Sequence, residues 1–534
     1  GKIDTRNALL YVNTLFYIAL FTLLFFAATK IVPRINHHNE SLNKPFGAFR
    51  KLTLDWSPRS IITLWCLVTA FWIPYFVAYF PGVYWYDTSW QLMEYYDPSV
   101  PFTDHHPFMM TYLYVGFAHI GKALFNNATY GLYLLVLVQS LLSTLAIACT
   151  VCYTGKYNIP WKCRFFIAVF LTFFPIIPMM SMSLAKDTFN TPFFVFFSIA
   201  FCELWRTQGT ILKSVSFDVF FIADALAVSL TKKTGMYIIV LALLLLACFV
   251  VKHWSYKIAT IVLGGVPYLV VGIIVPTFIL PALHIAPGES NEILAVPMQQ
   301  VANVVHNHKD DLSVAEIDEI QQIYHMDIGQ LQDAYCWYKA DPIKGQELSS
   351  KDEHALITTW TKQLVKHPGD MIAGWGGLSV AWFSFNVASG EEQDLSMMRP
   401  INNSKHHYQN IEQYMPWTDN TKAGNAIGQF YADTLSATPI LNIIWQKAFW
   451  ATILPFAIMF LILRSKKNKL NLLMLNLPMF ITMLVLFAGP ISTHTEATRY
   501  VLPMLYIIPL FLSLTLKHLS LKNPKSSLRT RVLR

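Results

Sequence analysis

The residues of this sequence best suited to chemistry lie in one stretch, PGVYWYDTSWQLMEYYDPSVPFTDHHPF, at residues 81 to 108. The stretch combines carboxylates, two adjacent histidines and aromatic side chains, namely Asp87, Glu94, Asp97, Asp104, His105, His106, Tyr84, Trp85, Tyr86 and Trp90. Carboxylates and imidazoles can exchange protons with hydroxyl groups, and aromatic faces can stack on sugar rings. This composition is therefore suited to a carbohydrate site.

Asp87 and its aromatic neighbours have different interpretations. Asp87 follows an apolar run near residues 61 to 80, and a carboxylate at such a boundary costs free energy unless something pairs with it or uses it. We therefore predict a functional role for Asp87. Trp and Tyr are common where membrane helices meet water, so an interfacial belt is the favoured interpretation for the aromatics.

The elements that must position these residues are membrane helices. The chain has 534 residues, of which 54% are hydrophobic and 13% charged, and its mean hydropathy is +0.40. An ordinary soluble domain has about 25% charged residues, so the composition indicates an all-α polytopic membrane protein. About eleven spans are predicted, near residues 8–32, 61–80, 130–153, 165–181, 190–205, 215–231, 235–251, 258–281, 440–463, 470–489 and 500–516.

The basic residues predict the orientation of these spans. The net charge of +8 lies in short clusters between apolar runs, where it orients helices, and we find no signal for nucleic-acid binding. All the basic connections fall on the cytoplasmic side if the N-terminus is outside and the run FMMTYLYVGFAHIGKALF lies in the membrane interface. The C-terminus is then inside.

Four cations break this charge rule, because they lie at the outer ends of helices: Lys186, Lys232, Lys233 and Arg499. Each could reach zwitterionic headgroups or pair with Asp187 and Glu496. Several such cations on one face instead indicate a bound anion, for which a lipid phosphate is the obvious candidate.

Three regions follow from this pattern: a transmembrane module at 1–281, an extracytoplasmic insertion at 282–439, and C-terminal helices with a basic tail at 440–534. The insertion is predicted to be mostly helical, with Ser313 and Glu316 as a capping box. Its histidines, in HNH at 306–308 and at His406 and His407, lack the spacing of a zinc helix, so we predict no metal ligands there.

Several motifs, in their order along the chain, resemble the GT-C superfamily of membrane glycosyltransferases. They are an acidic residue after an early outward-going helix (Asp87), an Ala-Lys-Asp turn at 185–187, a Lys-Thr-Gly turn at 233–235, a large outer insertion, and E-x-x-R-Y-x-x-P from Glu496 to Pro503. The chain also resembles a bacterial GT-C-like group without well-established function in PGVYWYD, HHP, VPMQQVANVV and KHP. The extra first helix departs from the usual GT-C start.

The resemblance implies an inverting transfer from a polyprenyl-phosphate sugar donor to a cell-envelope glycan acceptor, at the outer face of a bacterial plasma membrane. Asp87 would be the general base, and the four outer cations would hold the donor phosphate. Candidates for binding the acceptor or orienting the base are Asp104, His105, His106, Asp187, Glu496, Trp85 and Trp90. No cofactor is required, although a divalent cation is possible.

Two alternatives remain open at this stage. A polysaccharide polymerase or ligase would use a polyprenyl-diphosphate glycan, but a diphosphate fits a dense arginine cluster better than three lysines and one arginine. A lipid or solute transporter or flippase should show internal repeats or ionisable residues near mid-membrane. Asp218 and Asp224 are the acidic pair within one predicted span, and no convincing repeat is found.

Overall fold

The computed structural model describes residues 52–288, 290–344, 348–385, 394–395, 422–465 and 468–520, together with five isolated positions between 12 and 23. Within these ranges the protein is almost entirely helical, and the described residues contain one sheet, of two short strands. The predicted all-α class is therefore confirmed. The predicted first span and the basic tail after residue 520 lie almost wholly outside the described residues.

The N-terminal elements run to residue 282. They are α1 (Pro58–Ala78), β1 (Val83–Tyr84), α2 (Tyr86–Tyr96), α3 (Phe108–Phe125), α4 (Ala128–Lys156), α5 (Trp161–Phe173), α6 (Ile176–Ser181), β2 (Ser183–Leu184), α7 (Lys186–Thr207), α8 (Val215–Thr231), α9 (Lys233–Phe249) and α10 (Trp254–Ala282).

The later elements comprise a polar helical region and the C-terminal helices. They are α11 (Ala295–His308), α12 (Val314–Tyr324), α13 (Ile328–Ala334), α14 (Ser350–Lys366), α15 (Pro368–Phe383), α16 (Lys422–Ala437), α17 (Pro439–Trp445), α18 (Phe449–Arg464), α19 (Lys469–Leu475), α20 (Leu477–Phe487) and α21 (Thr498–Ser520).

Five helices in the described part of the chain are long and apolar enough to cross a membrane: α1, α4, α7, α10, and α21 with the turn before it. A sixth span results if α19 and α20, which meet at 66°, are taken together. The predicted run at 165–181 is divided at Phe174, because Pro175 has no N–H to continue the helical hydrogen bonds. Helices α8 and α9 have 17 residues each, which is at the lower limit for crossing.

Helix α3, the predicted interfacial run, crosses α4 with almost no space between the backbones. A Cβ atom added to Gly131 would lie 1.8 Å from the carbonyl oxygen of Phe117, and one added to Gly121 would lie 2.2 Å from the nitrogen of Gly131. Small residues permit such crossings between apolar helices. The C-terminal end of α3 is thereby held against the start of α4.

The bundle has charged groups at both ends. At one end Glu203 contacts Lys156 at 2.9 Å and Arg206 at 2.6 Å, and it accepts a hydrogen bond from the Tyr153 hydroxyl at 2.7 Å. Asp87 and the four predicted cations lie at the opposite end. Helices α7, α8 and α9 therefore run alternately between the two ends, as the sequence predicted.

Helices α11 to α15 form a separate apolar core, which includes Met298, Val301, Val305, Ile320, Tyr324, Leu331, Leu356 and Met371. The predicted capping box is confirmed: Ser313 Oγ accepts from the Glu316 N–H at 3.3 Å, and the Glu316 carboxylate accepts from the Ser313 N–H at 2.8 Å. The polar region also contacts the bundle, since Trp375 Nε1 donates to the carbonyl of Phe487 at 2.7 Å.

Candidate functional site: a buried charge cluster at two helix starts

Two short parallel strands set the position of the site. Val83 pairs with Ser183, and Tyr84 pairs with Leu184. A single residue separates each strand from the helix that follows it, so that α2 begins at Tyr86 and α7 begins at Lys186. Asp87 and Asp187 are thus the second residues of two neighbouring helices, where the partial positive charge of the helix N-terminus favours a carboxylate.

Buried side chains hold these strands in register. Gln139, on α4, donates through Nε2 to the carbonyls of Ser181 at 2.8 Å and Ser183 at 2.7 Å. The Thr88 hydroxyl donates to the carbonyl of Leu184. Because these contacts satisfy backbone groups that the two-residue strands leave unpaired, both helix starts are fixed to the same scaffold.

Arg499, at the start of α21, lies between the two carboxylates. It donates through one terminal nitrogen to Asp87 Oδ2, and its Nε lies 3.7 Å from Asp187 Oδ2. The guanidinium also lies 4.9 Å from the ring centre of Tyr500 and 5.7 Å from that of Trp85. Such ring contacts suit an arginine that has little contact with water.

Each of the two carboxylates also pairs with one lysine. Lys186 Nζ lies 3.3 Å from Asp87 Oδ2, whereas Lys232 Nζ lies 2.5 Å from Asp187 Oδ1. The sequence-based alternative paired these cations with Asp187 or Glu496. Neighbouring residues on a helix point in different directions, which is why Lys186 reaches Asp87 rather than the adjacent Asp187.

Asp87 is the more accessible of the two carboxylates. Its side chain is 15% exposed, whereas that of Asp187 is 0% exposed. Burial works against ionisation, but Arg499, Lys186 and His106 hold the pKa of the Asp87 carboxyl well below its usual range. All ion pairs and side-chain hydrogen bonds of this carboxylate to other described residues use Oδ2, so Oδ1 is the oxygen available to a ligand.

His106 is the third group facing Asp87. Its Nδ1 lies 2.6 Å from Lys186 Nζ and 3.9 Å from Asp87 Oδ2. Burial, followed by the nearby Lys186 ammonium, lowers the pKa of His106 well below its usual value. The ring is therefore neutral at pH 7 and accepts a hydrogen bond from Lys186. His105 packs edge-on against it, with ring centres 4.5 Å apart.

Lys233 and Asp104 form the outer part of the cluster. Lys233 Nζ lies 2.8 Å from Asp104 Oδ2, and it also donates to the Asp104 carbonyl. Asp104 Oδ1 accepts from the Phe108 N–H at 3.0 Å. With a side chain that is 42% exposed, Lys233 is the most accessible of the four cations.

Another carboxyl, that of Glu94, lies near the end of α2. Burial raises the pKa of Glu94 to about 7, despite hydrogen bonds from Thr103 and Trp90 that favour the ionised form. The Thr103 hydroxyl donates to Glu94 Oε1 at 2.6 Å. Glu94 was noted in the loop but not chosen as a site residue, because sequence alone gives no measure of its burial.

The structure brings most of the predicted site residues together. A chain of pairwise contacts links Asp87, Asp187, Lys186, Lys232, Arg499 and His106. Trp85 lies beside Arg499. Glu496 is partly exposed one turn before Arg499. Trp85 is only 1% exposed, so the belt interpretation does not describe it, whereas exposed Tyr86 fits such a belt.

Sequence reasoning missed Lys447, a fully buried lysine. Its Nζ donates to the carbonyl of His494 at 2.5 Å and lies 3.4 Å from that of Ser492. It thus holds the loop that leads to Arg499. The available signal was a lysine inside the apolar run at 440–463, since an ionisable residue there indicates function.

The carboxylates of the cluster are paired with cations. Among the described residues, one group has side chains arranged as metal ligands, and it lies in the polar helical region: His308, Asp311 and His367. Beside Asp87, the described residues contain no ligand set of this kind for the divalent cation considered possible in the loop.

The fold and the site together define an all-α protein with several potential membrane-spanning helices and a buried charge cluster at one end of its bundle. The chain belongs to DUF6020, a family of unknown function, whose sequence profile matches residues 95–529. It matches no curated protein and no solved structure.

Proposed function

We propose that the protein is an integral-membrane glycosyltransferase, which moves a sugar from a polyprenyl-phosphate donor to a cell-envelope glycan of the wall polysaccharide or teichoic acid type. One observation carries the proposal: a partly exposed carboxylate, Asp87, contacts two cations from other chain segments, Lys186 and Arg499, at one end of an apolar bundle. A third cation, Lys232, pairs with the neighbouring carboxylate of Asp187. A phosphate group and a hydroxyl acceptor require this combination.

The cations supply a site for the donor phosphate. Lys186, Lys232, Lys233 and Arg499 contact three carboxylates, Asp87, Asp104 and Asp187, which leaves one positive charge among these paired groups. Lys233, the most exposed cation, meets the phosphate first, and Arg499 and Lys186 stabilise the charge that develops when the phosphate leaves.

The proposed step is a single inverting displacement. The acceptor hydroxyl oxygen attacks the anomeric carbon as its proton passes to Asp87 Oδ1. The bond between that carbon and the phosphate oxygen breaks, and the polyprenyl phosphate leaves with the electron pair. Atoms and charge balance without a nucleotide or a metal ion.

Donor binding also has to activate the base. Without donor, Arg499 and Lys186 keep the Asp87 carboxylate ionised but weakly basic, and general bases work best with a pKa near the operating pH. A phosphate that draws these cations away raises the basicity of Asp87. Proton removal therefore follows occupation of the donor site.

The proposal includes the eleven-span topology, with the N-terminus outside, the C-terminus inside, and the site on the outer face of a bacterial plasma membrane. Its support is the separation of charges between the two bundle ends. Lys156 and Arg206 gather around Glu203 at the end opposite Asp87, and basic connections of this kind favour the cytoplasm.

Cysteine labelling tests this orientation. With Cys336 replaced by serine, Lys351→Cys at the exposed start of α14 should react with a membrane-impermeant maleimide in intact cells. Lys213→Cys, which is exposed after α7, should react only after permeabilisation. The reverse pattern would place Asp87 on the cytoplasmic face and contradict transfer to an outer glycan.

Lys233→Gln tests the donor site most cleanly. Removing one charge-assisted contact of about 1.5 kcal/mol should weaken binding of polyprenyl-phosphate sugar roughly tenfold. Binding can be measured with the purified protein in lipid nanodiscs. Lys232→Gln is less suitable, since it leaves the buried carboxylate of Asp187 with fewer partners.

Lys213→Gln, at the opposite end of the bundle, is the matched control and should bind the donor as the wild type does. Unchanged affinity in Lys233→Gln would remove Lys233 from the donor site. Donor binding by the wild type without transfer to any envelope glycan would instead favour a transporter or flippase.

A further inference from the structure

A second cluster of chemically active side chains lies outside the proposed glycosyltransferase site, where three elements of the polar helical region meet. His308 is the last residue of α11, Asp311 belongs to the short helical turn that follows, and His367 caps the start of α15. One potential ligand atom from each lies within 4.8 Å of the others. We propose that His308, Asp311 and His367 bind a divalent transition-metal ion, with Zn²⁺ the best match.

Both ring nitrogens of His308 face carboxylates. Its Nδ1 lies 3.0 Å from Asp311 Oδ2, and its Nε2 lies 3.0 Å from Asp370 Oδ2. A neutral imidazole has one N–H and can donate to only one of these carboxylates. In the neutral ring the other nitrogen presents a lone pair to a carboxylate, and a positive charge there, either a second proton or a metal ion bonded to both groups, removes the repulsion.

His367 supplies an independent indication. Its Nε2 is buried and has no hydrogen-bond partner among the described residues. Its ring lies almost parallel to that of His308, with ring centres 4.6 Å apart. A buried polar atom without a partner carries a desolvation cost of about 1–3 kcal/mol, which metal coordination would offset once the ring of His367 rotates out of this stacking.

Asp370 has the position of an outer-shell partner. It accepts from His308 Nε2, while Asn307 Nδ2 donates to its other oxygen at 3.0 Å. Metal-binding histidines commonly give their second N–H to a carboxylate, which fixes the tautomer and the ring orientation. Here that arrangement leaves the Nδ1 lone pair of His308 pointing toward Asp311.

The donor set selects the metal. Two imidazole nitrogens and one carboxylate oxygen suit zinc, whereas calcium and magnesium prefer oxygen ligands. A tetrahedral zinc site with bonds of about 2.0–2.2 Å separates its ligand atoms by roughly 3.4 Å. The 3.0 Å contact and the 4.8 Å limit bracket this separation, and a water molecule completes the coordination.

The local charge permits a cation. Asp311 and Asp370 provide two negative charges, and Asp311 is 58% exposed, so an ion can enter from solvent. The ammonium of Lys366 does not pair with the Asp311 or Asp370 carboxylate: it lies 3.3 Å from the Glu316 carboxylate and donates to the Asp311 carbonyl at 2.7 Å. The sequence-based expectation of no metal ligands compared spacings only within HNH and between His406 and His407, so it did not consider His367.

Metal content and metal-dependent stability of the full chain test the proposal. After removal of any affinity tag and treatment with a chelator, the purified protein should bind about one Zn²⁺ per chain, measured by mass spectrometry. Co²⁺ in its place should give the intense visible absorption of a tetrahedral site, and Zn²⁺ should raise the unfolding temperature.

His308→Gln and His367→Gln should abolish this binding, and Asp311→Asn, at an exposed side chain, should weaken it at least tenfold while the fold is kept. His354→Gln, an exposed histidine on α14 of the same region, should bind zinc as the wild type does. The proposal fails if the chelated wild type takes up no zinc, or if Asp311→Asn and His308→Gln bind with wild-type affinity. Neither outcome depends on glycosyl transfer.

Discussion

Asp87→Asn is expected to slow sugar transfer roughly 10²–10⁴-fold, which is the usual contribution of a general base. Asparagine keeps the size of the side chain and its place at the second position of α2, but it cannot take the acceptor's proton. The measurement is transfer of labelled sugar from polyprenyl-phosphate sugar to purified envelope glycan, with the protein in lipid nanodiscs.

Donor binding separates this effect from unfolding. Because Asp87 competes with the phosphate for Arg499 and Lys186, Asp87→Asn should bind the donor as tightly as the wild type or more tightly. Asp97→Asn is the matched control, since Asp97 ends the same helix and accepts hydrogen bonds from Ser99 at 2.7 and 2.9 Å. Full transfer activity in Asp87→Asn would rule out its role as the base.

Arg499→Gln is expected to have the largest effect on stability, about 3–5 kcal/mol in the free energy of unfolding. It removes the cation that lies between two carboxylates, and breaking a buried ion pair from one side leaves an uncompensated charge. Arg499→Lys should recover only part of this loss, since an ammonium does not reach both carboxylates as the guanidinium fork does. Thermal unfolding in a fixed detergent measures both variants.

A double-mutant cycle tests whether Asp187 is the carboxylate whose uncompensated charge destabilises Arg499→Gln. Asp187 is fully buried and contacts both Arg499 and Lys232, so Asp187→Asn should offset part of the Arg499→Gln loss. The two changes should therefore be non-additive by at least about 1 kcal/mol. Additive effects would mean that Arg499 and Asp187 are not energetically coupled in the folded protein.

The sequence predicted which residues share the site but not how they pair. Charge placement brought Lys186, Lys232 and Arg499 to one end of the bundle, because the direction of each helix follows from its apolar run. It could not assign Lys186 to Asp87 and Lys232 to Asp187. Those partners depend on side-chain directions at two helix starts, set by strands only two residues long, which have no detectable periodicity.

The sequence also failed to predict where some helices end and which residues far apart in the chain are in contact. The apolar runs at 165–181 and 470–489 look continuous, yet Pro175 and the bend at Asn476 divide each into two helices. His308 and His367 are 59 residues apart and meet only because α15 packs against α11. Spacing rules for metal ligands compare residues within one element, so they do not detect such a group.

The pairing of β1 with β2 restricts how the site can open. Each carboxylate is attached to its strand through a single intervening residue and the first residue of a helix, so the distance between Asp87 and Asp187 is nearly constant while the ladder is intact. Arg499 belongs to a different element, α21, which has no part in that ladder. Because the strand pair fixes both carboxylates and Arg499 lies on a separate element, any displacement of α21 along its axis would separate this cation from both carboxylates at once.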